Sequence, residues 1–379
     1  MEKVFYILLA IVILLVMIVI HELGHYIVGK ILKFNITEFS VGFGPKLLSK
    51  TNKKTGEKFS LRLIPLGGYC AFLGEEDFED ESADADKKQE VFDELTAQEE
   101  VVEKTGETPQ EKPKTFNEQA PWKRILVFIA GAGFNFISAI IFSLIFIWVV
   151  GYGTPVVTQV YADELGNPYN QLQVGDEIIA VNDTQISVMN SFNELTSKAV
   201  LGDTLVYTVR RGEQILTIPV TVQKITVKDK DNKESTYNGV GIASQQVGEA
   251  VDFGYALRYC VPYTGKMSVM ILSSLGGLFT GSTPITSVSG PVGTVDMMAS
   301  VGMMNWRNIL LLLPLLASNL AIFNILPIPA LDGSKILFAS IEWVRGKPLN
   351  RKVEAIIHTV GMLLLFGFVI VLDILGIFV

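Results

Sequence analysis

The sequence predicts a polytopic α-helical membrane protein with four transmembrane helices and a small β-rich domain outside the membrane. The first observation is composition: the 379 residues are 49% hydrophobic and only 18% charged, whereas ordinary soluble domains are roughly 25% charged. The mean hydropathy of +0.39 agrees with this. The second observation is four long stretches with almost no charge. The third is one segment in which short β-rich runs alternate with turn residues.

The first transmembrane helix is expected within residues 1–30. Its uncharged run, Val4–Ile20, covers about 26 Å at the helical rise, which is close to the thickness of a bilayer core. A cleaved signal peptide is the alternative. Glu2 and Lys3 precede the run and no small-residue cleavage site follows it, so we expect a retained helix.

The other three transmembrane helices rest on equally apolar runs, each long enough to cross a bilayer. The second run is 125–150, in the region 116–151, and the third is 308–331, in the region 307–333. The fourth run is 355–372, and its region, 334–379, begins with a cytoplasmic loop.

Between the first two transmembrane helices the sequence predicts a β region and an acidic tract. Residues 31–74 contain two strand-like runs, Phe39–Leu47 and Phe59–Phe72, punctuated by glycine and proline. Residues 75–114 hold sixteen acidic and five basic residues, so the net charge of −8 belongs to this tract and the rest of the chain is slightly basic. We expect a disordered cytoplasmic segment over 75–115 and no nucleic-acid partner.

Residues 152–245 are expected to fold as the extramembrane β domain, because three β-rich runs are separated there by turn residues. The run Gly175–Asn182 resembles the glycine-aspartate motif that leads into a strand of PDZ domains, and Arg210–Gly212 resembles their later hairpin. PDZ domains bind extended peptides by strand addition. A domain that acts only as a spacer or filter is the alternative.

Lysine and arginine predict the orientation, since cytoplasmic loops are enriched in them. Basic residues concentrate in 30–62 and 335–352, which lie on one side if there are four spans. That side should be cytoplasmic, with both termini and residues 151–308 outside. Tyr255–Thr280 is apolar but contains Arg258 and Lys266, so within 246–306 we expect an interfacial helix and a loop.

The chemistry concentrates at His21-Glu22-Leu23-Gly24-His25, an H-E-x-x-H motif. On a helix, positions i and i+4 share one face, so both imidazoles can reach one metal ion. Glu22 is placed to act as a general base. Ionisable groups at the end of an apolar span are costly and usually functional. The sequence therefore predicts a metal site at the end of the first transmembrane helix.

A third ligand is expected from the run Asn324–Gly333, which ends in Leu331-Asp332-Gly333. Pro327 and Pro329 interrupt the helix just before Asp332, and broken backbone at membrane depth is tolerated where it lines a site. Asp332 as a simple helix cap is the alternative. The first and third spans run in the same direction, so His21 and Asp332 lie at similar depth provided that Tyr255–Thr280 does not cross.

These two motifs, in this order and flanking a PDZ-like insertion, resemble the site-2 protease family, and most closely the bacterial regulator-of-sigma-E protease group. The resemblance covers nearly the whole chain. It implies an intramembrane zinc metalloprotease with His21, His25 and Asp332 as Zn²⁺ ligands and Glu22 as catalytic base. It implies a membrane-associated β-hairpin at 31–74 and an extracytoplasmic PDZ domain. Asn324 matches a family asparagine assigned to substrate or oxyanion binding.

Softer matches complete the resemblance. Gly131–Asn135 is similar to a family signature, although Ala132 stands where many members have proline. The resemblance implies Asn135 as a second substrate or oxyanion residue; close helix packing is the alternative. Ser289–Gly293 matches another signature, which we interpret as a turn. His358 and Asp373 are expected to be interfacial.

By this resemblance the protein is a multi-pass protein of the bacterial cell membrane with its active site toward the cytoplasm. Expected partners are the bilayer, single-span substrates such as anti-sigma factors or remnant signal peptides in regulated intramembrane proteolysis, and a peptide C-terminus at the PDZ domain. Two alternatives remain: a membrane metal transporter, and a catalytically inactive PDZ scaffold.

Overall fold

The computed structural model describes residues 2–75, 114–162, 168–228, 234–285 and 288–378. Nearly all of the predicted disordered tract at 75–115 lies outside these residues. The chain divides into two compact units, which are described separately. The first comprises Met1–Ser138, Ile271–Met304 and Leu316–Val379, and the second Ala139–Met270 and Asn305–Leu315.

Four of the described helices are long and apolar enough to cross a membrane, as the sequence predicted. The helices of the described residues are α1 (Glu2–Ile31), α2 (Pro121–Val150), α3 (Phe192–Thr196), α4 (Phe253–Thr280), α5 (Pro291–Met304), α6 (Arg307–Ile325), α7 (Asp332–Arg345) and α8 (Arg351–Phe378). The candidate spans are α1, α2, α6 and residues 351–374 of α8. The protein is therefore a multi-pass membrane protein, and α4 is not among the candidate spans.

Two helices occupy segments for which the sequence predicted loops. The helix α5 begins at Pro291, where a proline is favoured because the first helical N–H needs no partner. The helix α7 begins at Asp332 and ends at Arg345. It is followed by Gly346, whose φ of 65° is the left-handed conformation that commonly terminates helices. The third predicted span therefore ends at Ile325, six residues before Leu331.

The predicted β region forms two antiparallel strands, β1 (Ile36–Thr51) and β2 (Lys58–Phe72). Both strands are longer than predicted and both bend in the middle. As a result Phe39 pairs with Cys70 on one side and with Phe59 on the other, and Phe59 also pairs with Lys50. Four chain segments therefore run side by side, with residues 67–72 on one edge. Phe34, Phe72 and Phe116 anchor this sheet against Val127 and Phe128 of α2.

The second unit contains the predicted β domain. Its strands are β3 (Tyr152–Val160), β4 (Glu177–Val181), β5 (Thr184–Gln185), β6 (Thr204–Arg211), β7 (Gln214–Thr221), β8 (Gln223–Lys228), β9 (Glu234–Gly239) and β10 (Ile242–Glu249). The main sheet has the order β10-β3-β4-β6-β7, with β5 beside β4, and β8 pairs with β9. Ile178, Tyr207 and Val209 lie in its core.

An ion pair with a buried carboxylate joins the two motifs of this domain that resemble those of PDZ domains. Asp176 is fully buried, and its carboxylate accepts hydrogen bonds from Arg211 at 2.6 and 2.7 Å and from the Gln173 N–H at 2.8 Å. The neighbouring pair, Arg210 with Glu177 at 3.1 Å, is partly exposed to solvent. The two adjacent arginines therefore offer a matched comparison.

We predict that Arg211→Gln destabilises the β domain more than Arg210→Gln does, because it leaves a buried carboxylate without its partner. Arg210→Gln should cost under about 1 kcal/mol, as is usual for an exposed pair. Hydrogen exchange of the β6 and β7 amides in the full-length protein in detergent measures both. Equal losses for the two variants would contradict the assignment.

The difference in stability between the Arg211→Gln and Arg210→Gln variants should depend on pH, and the direction of this dependence can be worked out. Burial alone would raise the pKa of Asp176, but hydrogen bonds from Arg211 and the Gln173 N–H outweigh burial and hold the pKa below its ordinary value. The pair's contribution is therefore complete above the unfolded-state pKa of about 3.9 and is lost as pH falls through the lower folded-state pKa. The difference in stability between the two variants should therefore be present at neutral pH and disappear in strong acid.

Candidate metal centre

Three side-chain atoms converge at the C-terminal end of α1. Nε2 of His21 and Nε2 of His25 lie 3.1 Å apart, and Oδ2 of Asp332 lies 3.0 Å from the first and 3.2 Å from the second. The helical spacing of i and i+4 places both imidazoles on one face. Asp332 reaches them from the first turn of α7. Both imidazoles are buried, and the side chain of Asp332 is only 15% exposed.

This arrangement fits a zinc ion. Ligand atoms about 2.0–2.1 Å from a tetrahedral zinc lie about 3.3 Å from one another, close to the separations observed. Oδ2 of Asp332 is buried and has no hydrogen-bond partner. A carboxylate oxygen that faces two imidazole nitrogens without a hydrogen bond is costly to bury. Two nitrogens and one oxygen are also a donor set that zinc prefers, so the residues present fit this ion.

Hydrogen bonds from behind direct both imidazoles toward the shared point. Nδ1 of His25 donates to the backbone carbonyl of Val127 at 2.8 Å, which leaves the Nε2 lone pair free. Nδ1 of His21 lies 3.3 Å from Nδ2 of Asn135, whose Oδ1 is buried without a partner. A 180° rotation of that amide makes Oδ1 the acceptor for His21 Nδ1–H. Such contacts fix the tautomer and orientation of metal-binding histidines.

Two glycines make room for the histidines. A Cβ on Gly24 would overlap the carbonyl oxygen of Ala130, so this glycine lets α1 approach α2 closely. A Cβ on Gly131 would lie 2.5 Å from His25 Nε2 and 2.6 Å from His21 Cε1. The glycine-rich run before Asn135 therefore abuts the imidazoles, and it supports the interpretation of this motif as close helix packing.

Glu22 follows His21 directly in α1 and is close enough to His21, His25 and Asp332 to interact with them electrostatically. A Cβ on Gly68 would lie 3.3 Å from Glu22 Cγ, so the edge segment 67–72 of the β sheet runs next to this carboxylate.

Lys335, one turn after Asp332, donates to Glu75 at 3.0 Å. Burial alone would lower the pKa of Lys335, but the carboxylates of Glu75 and Asp332 outweigh burial and raise it. A cationic ammonium group therefore stands near the ligands.

The two expected substrate-binding asparagines differ in their surroundings. Asn135 contacts His21, as described above. Asn324 lies in the last turn of α6, half-buried, and its side-chain amide has no partner among the described residues.

The sequence did not anticipate the contacts of His358 and Asp373. Nδ1 of His358 accepts a hydrogen bond from the Ala330 N–H at 3.3 Å, so this histidine contacts the loop that leads to Asp332. The carboxylate of Asp373 accepts from the Gly293 N–H at 3.1 Å and caps the N-terminus of α5. Both residues are distant in sequence from the residues they contact, and neither forms part of a local motif that could have indicated the pairing.

We predict that Gly131→Ala weakens zinc binding at least tenfold, because the new methyl group must displace the imidazoles. Gly133→Ala is the matched control, since a Cβ there meets nothing within 4 Å. Competition with a chelator on purified protein measures both affinities. Equal affinities for the two variants would contradict the packing described here.

Comparison with known proteins also points to zinc. Relatives named as zinc metalloproteases include proteins of Mesorhizobium japonicum (28% identical, covering 96% of this chain and 97% of the relative), Fusobacterium nucleatum (27%, 97% of each) and Clostridium perfringens (29%, 97% of each). The sequence model of Peptidase family M50 matches residues 9–368. Because this match spans almost the whole chain, including His21, His25 and Asp332, the protein belongs to peptidase family M50, the site-2 protease family.

Proposed function

We propose that the protein hydrolyses peptide bonds within or beside the transmembrane helix of single-span membrane proteins. Membership of family M50 makes it a zinc metalloprotease, and its four apolar helices place it in a membrane. The observation that carries the finer proposal is the convergence of His21, His25 and Asp332 at the end of a candidate span. These three residues would hold the zinc ion.

Glu22 is proposed as the catalytic base. When bound, zinc supplies Lewis-acid activation of water and of the scissile carbonyl. Glu22 would take the proton of the attacking water and pass it to the leaving amine. Its position beside the three ligands and against Gly68 supports this role. The free amide of Asn324 is the proposed donor to the substrate or oxyanion, whereas Asn135 is proposed to orient His21.

The edge of the β sheet is proposed to hold the substrate. A helix hides its carbonyl groups in hydrogen bonds, so a substrate helix must unwind before hydrolysis, and an unwound segment can pair with a strand edge. Residues 67–72 pair on one side only among the described residues, and Gly68 adjoins Glu22. Residues 59–61 pair on both sides and therefore lie inside the sheet. Of the two edges, 67–72 and 48–51, we propose 67–72 for the substrate because Gly68 adjoins Glu22.

The proposed substrates are single-span proteins already trimmed outside the membrane, such as anti-sigma factors or remnant signal peptides, in regulated intramembrane proteolysis. The β domain is proposed as a PDZ domain that filters substrates by size or binds a new C-terminus. The ion pair between Asp176 and Arg211, which joins its two PDZ-like motifs, supports this assignment.

The proposed topology has both termini and the β domain outside the cytoplasm of a bacterial cell, and the metal ligands toward the cytoplasm. Two contacts support it. Lys3, at the start of α1, pairs with Asp296 of α5 at 2.8 Å, and Asp373, near the end of α8, caps the same helix. The beginning of α1 and the end of α8 therefore meet one helix, as expected if both lie on one side of the membrane.

We predict that Glu22→Gln retains zinc but cleaves about 10²–10⁴-fold more slowly, because it loses the general base. Purified protein, zinc and a tagged single-span substrate in detergent provide the assay. Glu2→Gln, at the exposed start of the same helix, should cleave like the wild type. Equal cleavage by Glu22→Gln and wild type, or none by the zinc-loaded wild type, would overturn the proposal.

We also predict that α4 does not cross the membrane. Single cysteines at Phe253 and Ser282, both exposed, are introduced into a chain whose buried Cys70 and Cys260 are replaced by alanine. A membrane-impermeant maleimide added to intact cells should label both positions. Labelling of one position only before lysis and of the other only after lysis would place them on opposite sides. His21 and Asp332 would then be on opposite sides too, contrary to the proposed site.

A further inference from the structure

The loop between α6 and α7, residues 326–331, delivers Asp332 to the metal centre in a strained conformation. Ala330 has a φ of +77°, which is unfavourable for a residue other than glycine. Such residues cost about 1–3 kcal/mol and persist only where surrounding contacts impose them. Those contacts are therefore informative about what holds Asp332 in place.

The backbone N–H groups of this loop all have acceptors, but only one of these acceptors is a side chain from another element. Pro327 and Pro329 have no N–H. The N–H of Ile328 donates to Leu326 O at 2.7 Å, and that of Leu331 donates to Ile328 O at 3.1 Å. The N–H of Ala330 alone needs a side chain from elsewhere, and it donates to Nδ1 of His358 on α8. An unsatisfied backbone donor at membrane depth costs several kcal/mol, so His358 satisfies the strained residue.

The imidazole of His358 is itself held in position. A backbone N–H can only donate, so Nδ1 is the unprotonated nitrogen and the neutral ring carries its proton on Nε2. The ring packs edge-on against Phe338 of α7, with centroids 5.5 Å apart at 70°. Nε2 is buried and makes no hydrogen bond. The ring is therefore fixed between the loop and the helix that begins at Asp332.

One helical turn further along α8, Gly361 contacts Pro329, the loop residue before Ala330. A Cβ on Gly361 would overlap Cβ of Pro329 and lie 3.2 Å from its Cα. His358 and Gly361 are three residues apart and share one face of the helix. The fourth predicted span therefore supports both Pro329 and Ala330, the residues three and two positions before Asp332.

We propose that His358 is a positioning residue for the metal ligand Asp332, acting through Ala330, and that Gly361 allows α8 to approach closely enough for this contact. The proposal rests on the proposed function in one respect, namely that zinc binds at His21, His25 and Asp332. A shift of Ala330 moves the carboxylate relative to the two imidazoles, and indirect support of this kind typically changes metal affinity 10–100-fold.

The test compares zinc affinities of full-length variants in detergent by chelator competition. His358→Leu removes the acceptor while keeping an apolar side chain, and zinc should bind 10–100-fold more weakly. His358→Asn places an amide oxygen near the position of Nδ1, so it should restore most of the affinity. Rescue by Asn but not by Leu is the result that a merely space-filling role would not produce.

Gly361→Ala tests the same support without changing the acceptor, and it carries the test if His358→Leu does not fold. It should weaken zinc binding, whereas Gly367→Ala on the same helix should not, because a Cβ there meets nothing within 4 Å. Thermal unfolding of the zinc-free proteins separates a general loss of stability from a loss of affinity. Lower stability with wild-type zinc affinity in His358→Leu and Gly361→Ala would overturn the proposal.

His21→Ala distinguishes this proposal from the assignment of the metal site. If His21→Ala binds zinc as tightly as the wild type, the metal site itself is wrong, and the positioning role is overturned with it. If His21→Ala loses zinc while His358→Leu and Gly361→Ala retain it, only the positioning role is wrong.

Discussion

The structure depends on bringing one carboxylate from near the end of the chain to two imidazoles near its beginning, within a buried space. Nε2 of His21, Nε2 of His25 and Oδ2 of Asp332 are 3.0–3.2 Å apart. Lone pairs that face one another in a medium of low dielectric are unfavourable unless a cation lies between them. On the proposed assignment of zinc to these residues, the arrangement is favourable with the metal bound and costs free energy without it, so the rest of the protein must hold it together.

The two histidines and Asp332 are held by different parts of the fold. The carbonyl of Val127 orients His25, and the amide of Asn135 contacts His21. Both partners lie on α2, so the close approach of α2 to α1 at Gly24 sets the positions of both imidazoles. Asp332 has no such contact with α2. Its position depends on a short loop with two prolines and a left-handed alanine, and that loop is supported by α8.

Local patterns predicted a large part of this arrangement. The i, i+4 spacing predicted the shared face of His21 and His25, hydropathy predicted the four candidate spans, and the β-rich run at Glu177–Val181 is observed as a strand with the same bounds. The bent four-segment sheet and the contacts of His358 were not predicted, since each joins residues that are far apart in sequence. A periodicity shows which face of a helix is buried, but not which partner covers it.

The positions of α1 and α8 along their axes are restrained by contacts at the ends away from the metal centre. A helix that slides by one turn moves by about 5.4 Å, which would separate Asp332 from the imidazoles. A shift of α8 by one turn would break the hydrogen bond that the carboxylate of Asp373 accepts from the first turn of α5. The carboxylate lies so close to Gly290 that a side chain at position 290 would overlap it. The same helix α5 pairs with Lys3 at the start of α1. Contacts with α5 therefore favour one position of α1 and of α8 along their axes. The opposite ends of these two helices carry His21 and His25 on α1 and the supporting residue His358 on α8.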